Sequence, residues 1–82
     1  MTGRNVAVIG GGTMGIGIAY RFAVADSRVC LVDLDLEHAE RSVGRVTDAL
    51  ARAVARGKLT AEEADAAGER LTPAGSVESV PM

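Results

Sequence analysis

Aromatic residues are almost missing from this 82-residue chain, which holds one Tyr, one Phe and no Trp. Its core must therefore be assembled from Val, Leu, Ile and Ala, which suits sheet and helix packing but supplies few large anchors. Cysteine occurs once, at Cys30, so an internal disulfide is excluded and a reducing, cytoplasmic setting is the expectation. Cys30 lies inside an apolar run with no cation beside it in sequence, and it reads as a small buried hydrophobe rather than a nucleophile. Histidine also occurs once. His38 is thus the sole conventional general base, and with no Ser or Cys partner nearby it reads as solvent-exposed filler. The formal net charge of −2 gives no reason to expect a nucleic-acid partner. No apolar run is long enough to span a membrane, and the stretch before the first one is too short for the charged region of a leader, so neither is expected.

Glycine is what the chain has in quantity, and its placement organises the rest. Val6-Ala7-Val8-Ile9 is an apolar run that stops at Gly10-Gly11-Gly12-Thr13-Met14-Gly15 and resumes with helical spacing. The pattern predicts strand, tight turn, helix. Gly10, Gly12 and Gly15 fit G-x-G-x-x-G, in which the first glycine makes the turn, the second admits a pyrophosphate and the third lets helix and strand pack closely. The unpaired N–H groups and dipole at the start of the following helix would hold a diphosphate without any lysine. Ten glycines in 82 residues make chance matches to the bare motif easy. Context strengthens it: a second apolar run, Arg28-Val29-Cys30-Leu31-Val32, ends in Asp33, 23 residues after Gly10. A dinucleotide fold places there the acid that accepts hydrogen bonds from the adenosine ribose. The plainer role for such an acid, capping the next helix, falls better to Asp35, just before Leu36.

The first helix is expected from about Met14 to Ala25, ended by Asp26-Ser27. Ile18 and Phe22 share one face, Gly15, Ala19 and Ala23 press on the sheet, and Tyr20 and Arg21 sit on the solvent side. After the second strand, Leu36, Ala39, Val43, Val46, Leu50 and Val54 recur at intervals of three and four, which predicts an amphipathic helix from Leu36 to Arg56 closed by Gly57. Thr60 and Glu63 then form a capping box, with Leu59 and Ala64 as its hydrophobic staple, opening another helix. This hairpin, residues 36–70, exceeds what a βαβ crossover needs. The polar face of its long helix carries Arg41, Arg45, Arg52 and Arg56, with Lys58 just beyond. Charge pattern alone reads as a solvated face; the alternative is a docking surface for a phosphate-bearing substrate, to which Arg52 and Arg56 contribute together from adjacent turns. In the tail, residues 71–82, Leu71-Thr72-Pro73 reads as a short edge strand, where Pro is tolerated, and residues 75–80 as a brief turn or helix.

With these residues in view, the chain resembles the N-terminal coenzyme domain of the 3-hydroxyacyl-CoA dehydrogenases, the 3-hydroxybutyryl-CoA dehydrogenases included. The resemblance rests on the stretch from Val6 to Ala19, on Val32-Asp33, and on Ala55-Arg56-Gly57-Lys58-Leu59-Thr60-Ala61-Glu62-Glu63-Ala64. The Thr13-Met14 pair and the Gly57-Lys58-Leu59-Thr60 turn are more specific than the glycines alone. The fold it implies is α/β, the N-terminal part of a Rossmann-type doubly wound parallel sheet: β-α-β over residues 5–33, the helical hairpin, and a short third strand. It implies NAD as cofactor, with Gly10, Gly11, Gly12, Thr13, Met14 and Gly15 around its pyrophosphate and Asp33 on the ribose. It also implies that Arg52, Arg56 and Lys58 lie near the phosphates of an acyl-CoA, Arg52 and Arg56 at positions where lysines commonly stand in the family. Gly11, where alanine is usual, Tyr20, where glutamine is common, and Asp26, where the helix usually ends in glycine, depart from the pattern.

The family's reaction is reversible hydride transfer between NAD and the 3-hydroxyl carbon of an acyl-CoA, and its catalytic Ser, His, Glu and Asn belong to later segments. No catalytic residue is therefore expected in residues 1–82, which read as an amino-terminal piece of a longer, homodimeric enzyme with a further catalytic and dimerisation domain. A non-catalytic dinucleotide-binding fragment, or an NAD-dependent dehydrogenase of a related hydroxy-acid or polyketide extender unit, are the other readings. With only two long strands in the sheet, Val6, Val8, Val29 and Leu31 are expected to be only partly covered, so that the chain alone neither catalyses nor folds stably.

Overall fold

The computed structural model describes residues 4–10 and 12–75. Its elements are β1 (Asn5–Ile9), α1 (Thr13–Val24), β2 (Arg28–Val32), α2 (Leu36–Ala55), α3 (Ala61–Glu69) and β3 (Leu71–Ala74). The three strands form a parallel sheet in the order β1-β2-β3. Register sets Val6 beside Val29, Val8 beside Leu31, and Val29 beside Leu71. Because strand side chains alternate, these residues share one face.

Both crossovers run in the same direction along the sheet, and right-handed crossovers in one direction stack their helices on one face. Ala19 and Ala23 of α1, Val46 and Leu50 of α2 and Ala67 of α3 accordingly meet Val8, Val29, Leu31 and Leu71 in one core. For Val8, Val29 and Leu31 this corrects the expectation of partial cover, whereas Val6 is partly covered as expected. Val29 and Leu31 are fully buried, Val8 is buried, and the half-buried Val6 packs against the same cluster. Cys30, Val32 and Ala74, on the other face, form a smaller cluster. Burial pushes the Cys30 thiol pKa up, in keeping with an inert side chain. Pro73 sits in β3, whose one partner among the described residues is β2.

Helix ends follow local chemistry. Gly57, at φ 74°, terminates α2: its N–H donates to the Val54 carbonyl at 3.0 Å and that of Lys58 to the Ala53 carbonyl at 2.8 Å, a Schellman closure. Asp26 does the same for α1 at φ 75°, with the Ser27 N–H on the Phe22 carbonyl at 2.9 Å. Aspartate tolerates this left-handed backbone better than most residues, and Arg70 holds it by an ion pair of 3.0 Å. The capping box is formed in both directions: the Glu63 N–H donates to Thr60 Oγ1 at 3.0 Å and the Thr60 N–H to Glu63 Oε1 at 2.9 Å. Leu59 and Ala64 both pack on the core.

Tyr20 departs from expectation. It is half-buried and packs on the main core with Ile16, Ala19 and Ala23, because α1 is flanked by α2 and α3 and its inward stripe is wide. Ile18 and Phe22 lie at the flank of that stripe and are exposed. The turn or helix expected over residues 75–80 falls, after Gly75, outside the described residues.

Candidate functional site

β1 and β2 deliver their C-terminal ends to one edge of the sheet. The chain leaves β1 through Gly10 at φ 90°, a conformation that side chains rarely adopt. Its N–H still donates to the Val32 carbonyl at 2.8 Å, so the turn starts level with the end of β2. Gly12 caps α1 with extended backbone (φ −67°, ψ 174°), offers no side-chain acceptor, and is followed by no acid in the first turn. The leading N–H groups of α1 are thus left for an anion. Gly15 is where helix meets strand: a Cβ there would overlap the Gly10 carbonyl oxygen and lie 3.5 Å from Val8 Cγ1. Thr13 and Met14 occupy the exposed first turn of α1. Gly11 lies outside the described residues.

Asp33 follows β2 directly and is half-buried. Its N–H donates to the Ala74 carbonyl at 3.2 Å, its Oδ1 accepts from the Leu34 N–H at 2.8 Å, and its Oδ2 accepts from the Ser42 hydroxyl at 3.3 Å. Capping of α2 falls to Asp35, which accepts from the His38 N–H at 2.9 Å. That bond, and next the contact with the His38 ring at 2.8 Å, hold the Asp35 carboxyl below its ordinary pKa. His38 thus sits in the first turn of α2 with both its N–H and its ring on Asp35.

Four large apolar side chains, Ile9, Met14, Leu34 and Leu36, stand exposed around this edge, Met14 and Leu34 at 80 % and 83 %. Uncovered apolar side chains beside the glycine turn and the free helix N–H groups would suit a ligand with flat apolar rings between polar groups. Beside the first turn of α1, Thr13, Ile16, Arg45, Asp48 and Arg52 line an open groove of about 210 Å³. The groove brings Arg52 alongside Thr13 and Ile16 in the first turn of α1. Arg56 and Lys58, also exposed, are not part of its lining.

The glycine turn and Asp33, identified by motif and spacing, thus share one edge. Ser42 and Gly75 escaped the sequence reading. Ser42 carried a signal, a polar residue on the apolar stripe of α2 nine positions after Asp33. Gly75 matters because a Cβ there would lie 2.8 Å from the Leu36 nitrogen, so the end of β3 packs against the loop that follows Asp33.

Residues 5–81 match the family model for the NAD binding domain of 3-hydroxyacyl-CoA dehydrogenase. The chain belongs to this family. It is 39 % identical over 77 residues to the 3-hydroxyadipyl-CoA dehydrogenase of Escherichia coli, covering 94 % of this chain and 16 % of that protein. Over 61 residues it is 39 % identical to a peroxisomal fatty acid beta-oxidation multifunctional protein of Arabidopsis thaliana, covering 74 % of this chain and 8 % of the relative. The crystal structure of 3-hydroxybutyryl-CoA dehydrogenase from Escherichia coli superposes with a TM-score of 0.85 at 38 % identity, over 96 % of this chain and 17 % of the other. The Rossmann-type α/β fold and NAD as the coenzyme of the domain, both implied by the resemblance, are thereby shown. The chain spans a small part of the length of each relative. Among the described residues no helix is long and apolar enough to cross a membrane.

Proposed function

We propose that this chain is the coenzyme-binding part of an oxidoreductase that transfers a hydride between NAD and the 3-hydroxyl carbon of a 3-hydroxyacyl-CoA. The observation that carries the reading is the juxtaposition at one sheet edge of an uncapped helix start, a glycine turn whose Gly15 leaves no room for a side chain, and Asp33. Gly10, Gly11, Gly12, Thr13, Met14 and Gly15 bind the diphosphate through backbone N–H groups. Asp33 accepts hydrogen bonds from the adenosine ribose. Bound NAD supplies the hydride acceptor; the residues of this chain bind and orient it, and none of them exchanges a proton with substrate. Arg52, Arg56 and Lys58 attract the phosphates of the acyl-CoA, with Arg52 nearest the coenzyme turn. The whole enzyme works in fatty acid metabolism as a cytoplasmic homodimer, with its catalytic and dimerisation domain beyond residue 82.

Calorimetric titration tests the reading. The chain is expected to bind NAD, to bind NADP more weakly, and to show no turnover of acetoacetyl-CoA with NADH. Equal affinity for the two coenzymes would overturn the role of Asp33, and no binding of either by a chain that far-UV circular dichroism shows to be folded would overturn the site.

A further inference from the structure

Ser42 is 5 % exposed on α2, a polar side chain set among Ala39, Val46 and Leu50 on the buried stripe of that helix. A serine hydroxyl inside a helix ordinarily turns back to the carbonyl four residues earlier. Thr47 on the same helix does this, donating to the Val43 carbonyl at 3.0 Å. Ser42 instead reaches across to Asp33 Oδ2 at 3.3 Å. Asp33 is fixed from two further directions: its Oδ1 by the Leu34 N–H and its backbone by the Ala74 carbonyl. Each carboxylate oxygen has two acceptor positions, so one on each remains free after these contacts.

We infer that Ser42 is a positioning residue for coenzyme selection: its buried hydroxyl turns the Asp33 carboxylate so that both oxygens present an acceptor to the ribose diol. The inference rests on the NAD-binding reading above. Two fixed acceptors match the two hydroxyls of an unmodified ribose. They repel a 2′-phosphate, which brings negative charge and no donor. With Ser42 removed, the Oδ2 side of the carboxylate loses its anchor and its orientation is no longer matched to the diol. Binding of NADP, whose 2′-phosphate is held away from Asp33, draws little on that orientation.

The test titrates the 82-residue chain with NAD and with NADP, for the wild type, Ser42→Ala, Ser42→Thr, Asp33→Ala and the double variant Asp33→Ala/Ser42→Ala. Ser42→Ala is expected to weaken NAD about fivefold, the scale of one hydrogen bond, with NADP nearly unchanged, so the NAD/NADP ratio falls. Ser42→Thr retains the hydroxyl and the wild-type ratio. In the Asp33→Ala background, Ser42→Ala changes the ratio no further. Loss of NAD and NADP affinity by the same factor, or a ratio shift that persists without Asp33, would overturn the inference. A wild type that binds NAD with a Ser42→Ala variant of equal preference defeats this inference alone; a wild type that binds neither coenzyme defeats the NAD-binding reading and the inference with it.

Discussion

Gly15 and Gly17 lie two residues apart on α1 and provide a matched pair in which one substitution should act with opposite sign. A Cβ at Gly17 meets nothing within 4 Å. Gly17→Ala therefore gains the intrinsic helix preference of alanine, about 1 kcal/mol. The same gain is available at Gly15, but there the added carbon overlaps the Gly10 carbonyl, a backbone atom in a turn fixed by its positive φ and its bond to Val32. Neither a rotamer change nor a flexible side chain relieves the clash, so α1 must move off β1. Overpacking of this kind costs about 1–3 kcal/mol, which cancels or exceeds the propensity gain. Subtracting one variant from the other removes the propensity term and leaves the clash, about 1–3 kcal/mol. For a domain of this size each kcal/mol moves Tm by about 4–8 °C, so Gly17→Ala should melt at least ~4 °C above Gly15→Ala. Thermal unfolding followed by far-UV circular dichroism reads this directly, and NAD titration should show a loss for Gly15→Ala alone. A Gly15→Ala variant that melts at or above Gly17→Ala would refute the close approach of α1 to the turn after β1.

Asp33→Ala is expected to weaken NAD binding by about tenfold, the scale of hydrogen bonds to a charged group, and to relieve the rejection of NADP; calorimetry with both coenzymes measures it, and an unaltered ratio would remove Asp33 from the ribose. Arg52→Ala and Arg56→Ala should each lower affinity for acetoacetyl-CoA by about threefold, as partly solvent-screened charge contacts do, while NAD affinity stays constant. Equal losses on an acetoacetyl thioester without the adenosine phosphates would return both arginines to a solvated face. The folded-state pKa of Asp35 is lowered by its cap bonds, so its contribution to stability is fully present above the unfolded carboxyl pKa of about 4. It is lost as pH falls through the lower folded value. Denaturant melts between pH 2 and 6 should show wild type and Asp35→Asn converging at the acid end and wild type ahead at the other.

What could be read from the sequence was chemistry carried by neighbours in the chain. Gly57 as the stop of α2, Thr60 with Glu63 as a reciprocal cap and Asp35 as the start of α2 each involve residues within five positions, and each is formed as expected. The glycine turn belongs to the same class, because its conformational demands at Gly10 and its close approach at Gly15 are set by one strand–turn–helix unit. Asp33 was legible by a different route, since the length of one helix and one strand fixes how far along the chain the next strand end falls.

The remainder depended on which way the chain crosses the sheet. Two strands can be counted in a sequence, but whether Val6, Val8, Val29 and Leu31 are covered turns on both crossovers placing their helices on the same face. That choice brings α3 against α1 and draws Tyr20 inward, although helical periodicity within α1 alone leaves it on the polar side. It also sets α2 across the end of β2, which brings Ser42 beneath Asp33 and the end of β3 against the Asp35–Leu36 peptide. A serine on an apolar stripe signals that some buried partner exists, because an unpaired buried hydroxyl costs about 1–3 kcal/mol. The identity of that partner follows only when the helix is docked. The position of Asp33 is therefore specified twice over, by its place at the end of β2 and by the helix that the crossover lays against it, and only the first can be read along the chain.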